Sequence, residues 1–255
     1  MSCIISVINQ KGGTGKTTTA QALGAGLTGE GYKVLFIDLD AQGNLTRATG
    51  ATAEGYTILE VLQGKARAID AIQDAPGGHI IAAGPGLGAE GILTHTGKEY
   101  RLVEALEPVK EMFAYIIVDC PPSLGVLSVN ALTASDYGII PAGADAFSLQ
   151  ALEQIHDTAQ AVQKYTNKEL QIMGVLICRY SGRSILSREL AEMIGDKARE
   201  MGTMLFNTRI RENISIKEAQ QMQQDIFTYA PRSNGAVDYR NFVQEVLSYG
   251  NKENI

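Results

Sequence analysis

IISVINQKGGTGKTT, residues 4–18, is the segment that decides the fold. Its first residues are apolar enough to form a buried strand, and its last residues begin a helix. Between strand and helix lie Gly12, Gly13 and Gly15, which let backbone N–H groups approach a phosphate closely. A helix that begins at this point adds the positive end of its dipole. The segment therefore predicts a loop that binds the phosphates of a nucleotide.

The side chains of this loop predict how the nucleotide is held. We expect Lys16 to reach the β- and γ-phosphates and the Thr17 hydroxyl to ligate Mg²⁺. The predicted phosphate-binding residues are Lys11, Gly12, Gly13, Thr14, Gly15, Lys16, Thr17 and Thr18. A GTPase would need an Asn-Lys-x-Asp segment after a late strand, whereas residues 167–170 read Asn-Lys-Glu-Leu. We therefore expect the cofactors to be ATP and Mg²⁺.

A second lysine, Lys11, departs from the ordinary phosphate-loop pattern. That pattern has a glycine at the position that Gln10 occupies here, and Lys11 follows it. Since Lys16 already serves the chain's own phosphates, Lys11 is better placed to reach a nucleotide held by a facing subunit. Such a residue, supplied in trans, stabilises charge as the γ-phosphoryl group leaves. The loop therefore predicts an ATP-dependent homodimer with Gly12 at the contact, where a close backbone approach requires glycine.

Apolar segments alternate with helical patterns along the whole chain. Several are continuously apolar and rich in valine and isoleucine, as strands covered on both faces must be. The predicted strands are Ile4–Ile8, Val34–Ile37, His79–Ala83, Tyr115–Val118, Tyr137–Ile140, Met173–Cys178 and Thr203–Phe206. The predicted helices include Thr17–Leu27, Ser148–Tyr165 and Ile185–Met201. This order predicts an α/β fold with a doubly wound, mostly parallel sheet and helices on both faces.

The composition is typical of an ordinary globular protein, with 45% hydrophobic and 20% charged residues. No linker or repeat divides the chain, so we expect a single domain over residues 1–255. Only ten residues precede Lys11, so we expect no N-terminal helix-turn-helix domain. Cys3, Cys120 and Cys178 show no metal-ligand spacing, and as buried thiols they favour a reducing, cytoplasmic compartment.

Five segments resemble the ParA/Soj/MinD-type ATPases, whose phosphate loop deviates from the ordinary P-loop. The segments that carry the resemblance are Gln10–Thr18, Asp38–Asn44, Asp119–Ser123, Asn130–Asp136 and Tyr229–Ser233. They span nearly the whole chain in the family's order and are most similar to the Soj-like chromosome and plasmid partition proteins. The resemblance implies a P-loop ATPase that hydrolyses ATP slowly until a partner similar to ParB stimulates it.

Aspartates at strand ends are the candidates for metal binding and catalysis. Asp40 and Asp119 follow apolar strands, so both carboxylates are expected at the phosphate-binding edge of the sheet. Asp119 suits Mg²⁺ through a water, because magnesium takes hard oxygen ligands and keeps several waters. The resemblance assigns Asp40 to orienting the attacking water, and Asp38 is left to support the loop or the metal shell. The predicted catalytic residues are Lys11, Lys16 and Asp40, and the predicted metal site is Thr17, Asp40 and Asp119.

The predicted contacts of the adenine base lie late in the chain. Cys178-Arg179-Tyr180 follows a strand and is similar to a Thr-Arg-Tyr segment of MinD-type members. The planar guanidinium of Arg179 suits stacking on adenine, and a solvated surface arginine is the alternative. Asn213 and Pro231 lie in segments where, by resemblance, the family completes its base pocket.

Residues 179–217 form a locally basic window in an acidic chain. They hold eight basic and five acidic residues, whereas the whole chain has a formal charge of −6. A local basic face is what sequence-independent binding to DNA phosphates requires. The DNA-contact candidates are Arg183, Arg188, Arg209 and Arg211. Ordinary solvated helix charges are the alternative, since the family's Pro-Arg-Asn is Arg211-Glu212-Asn213 here and Ser215 replaces a usual basic residue.

The resemblance implies a switch for chromosome or plasmid partitioning, in which the ATP-bound dimer binds non-specific DNA on the nucleoid and releases it on hydrolysis. Two alternatives stay open: a ParA-like ATPase that positions a protein cargo, and a MinD-like membrane-associated regulator. Membrane binding is disfavoured, because the last predicted helix, residues 236–248, carries Asp238 and Glu245 beside a single Arg240. An iron–sulfur reductase is disfavoured too, because the exposed cysteine pairs that would hold a cluster are missing.

Overall fold

The computed structural model describes residues 2–89, 93–94, 96–182 and 184–252, with side chains up to residue 249. Within them the strands are β1 Cys3–Val7, β2 Val34–Asp38, β3 Ile72–Ala75, β4 Gly78–Ile81, β5 Tyr115–Asp119, β6 Tyr137–Gly143, β7 Gln171–Tyr180 and β8 Met204–Arg211. The helices are α1 Lys16–Gly29, α2 Asn44–Ala48, α3 Ile58–Leu62, α4 Ala68–Ala71, α5 Arg101–Leu106, α6 Val126–Ala134, α7 Ala146–Tyr165, α8 Ile185–Glu200, α9 Ile214–Gln221, α10 Ile226–Tyr229 and α11 Asn234–Lys252.

The eight strands form one sheet in the order β3-β4-β2-β5-β1-β6-β7-β8. Every neighbouring pair is parallel except β3 and β4. Helices α3–α8 cover one face, and α1, α2 and α9–α11 cover the other. The predicted doubly wound α/β architecture is confirmed.

Strand β1 shows why these strands consist mainly of apolar residues. Its side chains alternate between the two faces: Ile4 packs in one core cluster, whereas Ile5 and Val7 pack in the other. Strand β2 follows the same rule, since all five of its residues are buried. Because both faces are covered, neither strand has a polar face to expose.

Two elements differ from the sequence prediction. Strand β3 was missed, although it forms an antiparallel hairpin with β4 through the two-residue turn at Pro76-Gly77. Gly77 has φ +83°, the left-handed conformation that a Pro-Gly turn provides. Strand β8 was predicted to end at Phe206 but continues to Arg211, because its second half contacts α11 and pairs with the end of β7.

The C-terminal helix α11 packs on the sheet, as its pattern predicted. Tyr239, Phe242 and Val243 are at most 2% exposed and contribute to the core beneath α1 and β8. No helix among the described residues has the length and apolar character needed to cross a membrane. The assignment of residues 1–255 to one domain stays a prediction, which the continuous sheet favours.

The cysteines fit their predicted role only in part. Cys120 and Cys178 are buried, and burial raises the pKa of the Cys178 thiol to about 12. Cys3 is partly buried, because β1 begins with it at the margin of the sheet.

Candidate functional site

The phosphate loop connects the carboxyl end of β1 to the first turn of α1. Gly13 and Gly15 have φ values of +74° and +95°, a left-handed conformation that favours glycine. A Cβ on Gly15 would also lie 3.4 Å from the Cys178 Sγ atom. Gly12 differs from both because its φ is not positive, and a Cβ built on it, like one built on Gly13, meets no neighbouring described atom within 4 Å. The loop therefore has a packed inner side and an open outer side.

Lys16 lies on the inner side of the loop. Its residue is 6% exposed, and its Nζ donates to the Lys11 carbonyl oxygen at 3.3 Å. Burial lowers the pKa of Lys16, and the charges of Asp119 and Asp40 oppose that shift. The ammonium group is thus poorly solvated, and among the described residues the Lys11 carbonyl oxygen is its one hydrogen-bond acceptor. Phosphate oxygens would supply the acceptors that this buried cation lacks.

Asp119 ends β5 directly beside the loop. In the sheet register it is the neighbour of Val7 on one side and of Asp38 on the other. The Thr17 hydroxyl donates to its Oδ2 atom at 2.6 Å, while its buried Oδ1 atom has no hydrogen-bond partner. Burial raises the pKa of Asp119 well above its ordinary value, and the nearby charge of Asp38 adds to that rise.

The residues around Asp119 fit a magnesium ion. Thr17 Oγ1 and the orphaned carboxylate oxygen are hard ligands, and a cation nearby would compensate the burial of the charge. The described residues contain no cluster of three or more His, Cys, Asp or Glu side chains able to form a complete metal cage. This suits Mg²⁺, which takes one or two carboxylates and completes its shell with phosphates and water.

Asp38 supports the loop that follows β2. Its carboxylate accepts hydrogen bonds from the backbone N–H and hydroxyl of Thr46 and from the backbone N–H of Asp40. Burial raises the pKa of Asp38 to about 6, against the effect of these hydrogen bonds. Of the two roles left open for Asp38, this geometry favours support of the loop. Thr46 was not among the predicted site residues, and its hydroxyl also accepts from the Ala83 backbone N–H at 3.0 Å.

Asp40 lies in the loop that Asp38 fixes. It is 7% exposed, and its Oδ1 atom accepts from the Gln42 backbone N–H at 2.9 Å. Its side chain lines the same cavity as Lys16 and Thr17. The carboxylate is therefore held at the edge of the phosphate site, where it can accept a hydrogen bond from a water.

A cavity of about 830 Å³ opens over the N-terminus of α1, between α2 and α9. One wall comes from the loop after β2 and from α2, and the other from the ends of β7 and β8 and from α9. The Gln220 amide donates to the Thr18 hydroxyl at 3.1 Å, which ties α9 to the phosphate loop. A cavity of this volume is within the usual range for a small-molecule site.

The wall formed by α9 was missed by sequence reasoning. Ile216, Lys217, Gln220 and Gln223 line the cavity, and so does Tyr239 of α11. Tyr239 is 1% exposed, and its hydroxyl shares a hydrogen bond with the Thr19 hydroxyl. No sequence signal pointed to these side chains, because they lie about 200 residues after the loop that they cover.

Two of the three predicted adenine contacts line the cavity. Arg179 has φ +56°, which is strained for a non-glycine residue, and its guanidinium lies 3.5 Å from a Glu212 carboxylate oxygen. Asn213 caps α9 by accepting from the Ser215 backbone N–H at 2.8 Å. Pro231 is not among the lining residues, and its carbonyl oxygen accepts from Arg240.

Lys11 lies outside this cavity. Its Nζ donates to both carboxylate oxygens of Asp145 at 2.7 Å and lies 5.4 Å from the centre of the Phe147 ring. Asp145 also caps α7 through the Ser148 backbone N–H. The two lysines of the loop are therefore separated: Lys16 faces the cavity, and Lys11 is held at the start of α7.

The four DNA-contact candidates do not share one environment. Arg188 on α8 is exposed. Arg209 donates to the Tyr180 hydroxyl at 2.7 Å, with its guanidinium over the Tyr180 ring. Arg211 forms a bidentate ion pair with Asp238 and lines the nucleotide cavity, and its role as a DNA contact stays a prediction. Arg183 lies outside the described residues.

The strand–loop–helix geometry, the buried Lys16 and the Thr17–Asp119 pair define a P-loop ATPase. A protein-family model described as an AAA domain matches residues 2–172. The chain is 40% identical to the sporulation initiation inhibitor protein Soj of Bacillus subtilis, with 98% of this chain and 100% of Soj covered. It is 36% identical to the chromosome partitioning protein ParA of Caulobacter vibrioides, with 96% and 94% covered.

Among solved structures, cobyrinic acid a,c-diamide synthase from Mycobacterium smegmatis with bound ADP and magnesium has a TM-score of 0.86 and 32% sequence identity. The likeness covers 98% of this chain and 96% of that one. With the relatives above, these comparisons place the chain: it belongs to the Soj and ParA family of ATPases.

Proposed function

We propose that this ATPase is an ATP-dependent dimerising switch for chromosome or plasmid partitioning in the cytoplasm. ATP is held with Mg²⁺ by the loop from Gly12 to Thr18, with Lys16 on the phosphates. Thr17 and Asp119 ligate the metal, and Asp40 lies beside it. Arg179 and Asn213 contact the base, and the contribution of Pro231 rests on the family resemblance alone.

The separation of the two lysines is the observation that carries this proposal. Lys11 is bound to Asp145 and does not line the cavity that Lys16 faces. A lysine on the outer side of a phosphate loop can neutralise phosphate charge only on a nucleotide that another subunit holds. The open space around Gly12 leaves room for that subunit. These features support a dimer that closes around two ATP molecules.

Hydrolysis then depends on both subunits. Asp40 orients the attacking water, and Lys11 of the facing subunit stabilises the charge of the leaving phosphoryl group. Phosphoryl transfer depends on positioning and charge neutralisation, so the lone chain hydrolyses ATP slowly. A ParB-like partner accelerates the step, after which loss of the γ-phosphate contacts opens the dimer.

Binding to non-specific DNA occurs in the ATP-bound dimer and associates it with the nucleoid. Among the described candidates, Arg188 is exposed and lies outside the nucleotide cavity, and Arg209 is partly buried against Tyr180 in the same window. Contacts with phosphates alone give an affinity that falls steeply with salt. The buried apolar face of α11 argues against a membrane anchor.

Binding of the purified protein to double-stranded DNA tests the proposal. Affinity is measured with ATP, with ADP and without nucleotide, each across a salt series. We expect tight, salt-dependent binding with ATP only, and release as ATP is hydrolysed. Equal DNA affinity in all three nucleotide states would contradict an ATP-controlled switch, even if the chain hydrolysed ATP.

A further inference from the structure

Helix α9 contacts the phosphate loop through the side chain of Gln220. Its amide Nε2 donates to the Thr18 hydroxyl oxygen at 3.1 Å, and both residues are partly buried and line the nucleotide cavity. Thr18 directly follows the proposed metal ligand Thr17 on α1, whereas Gln220 lies 202 residues later in the chain. The contact therefore joins the phosphate site to a distant element that the loop motif does not include.

The direction of this hydrogen bond leaves the proton of the Thr18 hydroxyl free. A threonine hydroxyl has one proton to donate and two lone pairs that accept. Because the Gln220 amide is the donor, the bond occupies a lone pair and not the proton. Among the described residues, the Thr18 hydroxyl donates to no acceptor. The hydroxyl is thus held on one side and can donate from its other side to an anionic oxygen in the cavity.

The end of α9 that carries Gln220 is held in place by a second glutamine. Gln21 of α1 is buried, and its amide donates to the backbone oxygens of Ala48 at 3.0 Å and of Gln224 at 3.4 Å. Thr18 and Gln21 are three residues apart, so they share one face of α1. The same face of α1 therefore anchors α2 and the end of α9, which fixes the Gln220 donor before any nucleotide binds.

The course of α9 indicates which phosphate Thr18 faces. In the proposed function, Lys16 lies on the phosphates and Thr17 on the metal. Helix α9 begins after Asn213, a proposed base contact, and carries Gln220 near its other end. Thr18 is therefore on the nucleoside side of the loop. The phosphate nearest to it is the one attached to the ribose, the α-phosphate.

We infer that Gln220 is a positioning residue for ATP binding: it orients the Thr18 hydroxyl so that the hydroxyl donates to the α-phosphate. The inference rests on the placement of the phosphates in the proposed function, and not on dimerisation or DNA binding. Since ATP and ADP share the α-phosphate, the contact stabilises both nucleotides equally. An interaction of equal strength in the ground state and the transition state lowers KM and leaves kcat unchanged.

Substitutions that change the amide and keep the side-chain length test this inference. Gln220→Met removes the donor, and Gln220→Glu replaces it with an acceptor that takes the Thr18 proton and adds a negative charge. Titration calorimetry measures Kd for ADP and for a non-hydrolysable ATP analogue. We expect Gln220→Met to raise both Kd values about fivefold and Gln220→Glu about 30-fold, as expected for a lost neutral and a lost charge-assisted hydrogen bond. In both variants kcat at saturating ATP should stay within about twofold of the wild type.

Gln224→Met is the matched control. Gln224 is exposed just after α9, and its side chain does not line the cavity. Both Kd values should therefore equal those of the wild type. The thermal unfolding midpoint of each variant separates lost binding from lost folding. A Gln220 variant with a lower midpoint and wild-type Kd values would have lost only a structural contact, which overturns the inference.

Thr18→Val distinguishes an action through Thr18 from direct contact with the nucleotide. This substitution removes the hydroxyl and should itself raise both Kd values. In the Thr18→Val background, Gln220→Met should raise neither Kd further, because the two residues act as one unit. A full fivefold loss in that background, or a loss confined to the ATP analogue, overturns the inference. Wild-type affinity in Thr18→Val also overturns it, whereas the DNA-binding series of the wild-type chain tests the proposed function separately.

Discussion

Lys16 and Lys11 lie five residues apart and have opposite environments. Lys16 is buried among the carboxylates of the phosphate site, and Lys11 is half-exposed on the Asp145 carboxylate. Glycines in left-handed conformations at positions 13 and 15 turn the chain between them. A loop that points one lysine inward and one outward can serve two nucleotides, which a single-lysine loop cannot.

Replacing Lys16 with alanine tests the inward lysine. Lys16→Ala should weaken ATP binding by at least about 100-fold, or ~3 kcal/mol, since charge-assisted hydrogen bonds to the phosphates are lost. Titration calorimetry of the folded variant measures the effect. Lys11→Ala is the matched control, since it removes a lysine from the same loop and should leave ATP affinity nearly unchanged. Undiminished binding by Lys16→Ala would refute the assignment.

Asp40 should affect turnover and leave ATP binding intact. Asp40→Ala removes the carboxylate proposed to orient water, so kcat should fall by about 100-fold or more. The variant should still bind ATP, form the dimer and stay on DNA. Single-turnover hydrolysis and gel filtration with ATP provide the measurements. A variant that remains monomeric at saturating ATP would remove Asp40 from the water-positioning role.

At the scale of elements, the N-terminus of α7 has two functions. The Asp145 carboxylate accepts from the Ser148 backbone N–H and also binds the Lys11 ammonium. Capping contributes to the stability of the helix, and the ion pair keeps Lys11 on its own subunit. A dimer in which Lys11 reaches the facing subunit must break the Lys11–Asp145 ion pair. It can preserve the capping bond from the Ser148 N–H to Asp145.

Two substitutions separate these functions. Asp145→Asn retains a capping side chain but removes the charge, so it should tighten the ATP-dependent dimer by up to about fivefold, the worth of a surface ion pair. Asp145→Ala removes both, and should also lower the free energy of unfolding by about 1 kcal/mol. Sedimentation equilibrium measures the dimer Kd, and urea denaturation measures the free energy of unfolding. A weaker dimer with Asp145→Asn would show that the carboxylate has a positive role in the closed state.

Elements with a strong local signal were predictable from the sequence. Strand β2 is apolar from Val34 to Ile37, as two covered faces require, and α7 has a long stripe of buried residues at helical spacing. The hairpin of β3 and β4 was missed because β3 is a four-residue strand with mixed polarity, although Pro76-Gly77 was a visible turn signal.

In the site, too, residues placed by local chain geometry were predictable from the sequence, and residues placed by long-range packing were not. Local chain geometry sets the positions of the phosphate-loop residues, so the sequence was enough to expect them beside Asp119. The α9 wall and the Arg211–Asp238 pair depend on where α9 and α11 cross the sheet. Such crossings are set by packing over the whole chain, which spacing within one segment does not reveal.

At the scale of the whole molecule, DNA binding should depend on the nucleotide-edge end of α8. Arg188→Gln should lower affinity for DNA in the ATP state and reduce the slope of log affinity against log salt by about 1. Arg199→Gln makes the same change in the last turn of α8 and should have little effect on the slope. Equal slopes for the two variants would place the basic face elsewhere. ATP affinity should match the wild type in both.

Because the space around Gly12 is empty, a substitution at this position should affect folding and dimerisation differently. A methyl group added there meets no described atom, and the backbone needs no left-handed angle. Gly12→Ala should therefore leave the unfolding free energy unchanged or raise it by up to about 1 kcal/mol. The same substitution should abolish ATP-dependent dimerisation, measured by sedimentation, and a normal dimer would disprove the contact. A library selected for thermal stability alone would then accept this alanine and enrich inactive proteins, because the reason for glycine at position 12 lies in another molecule.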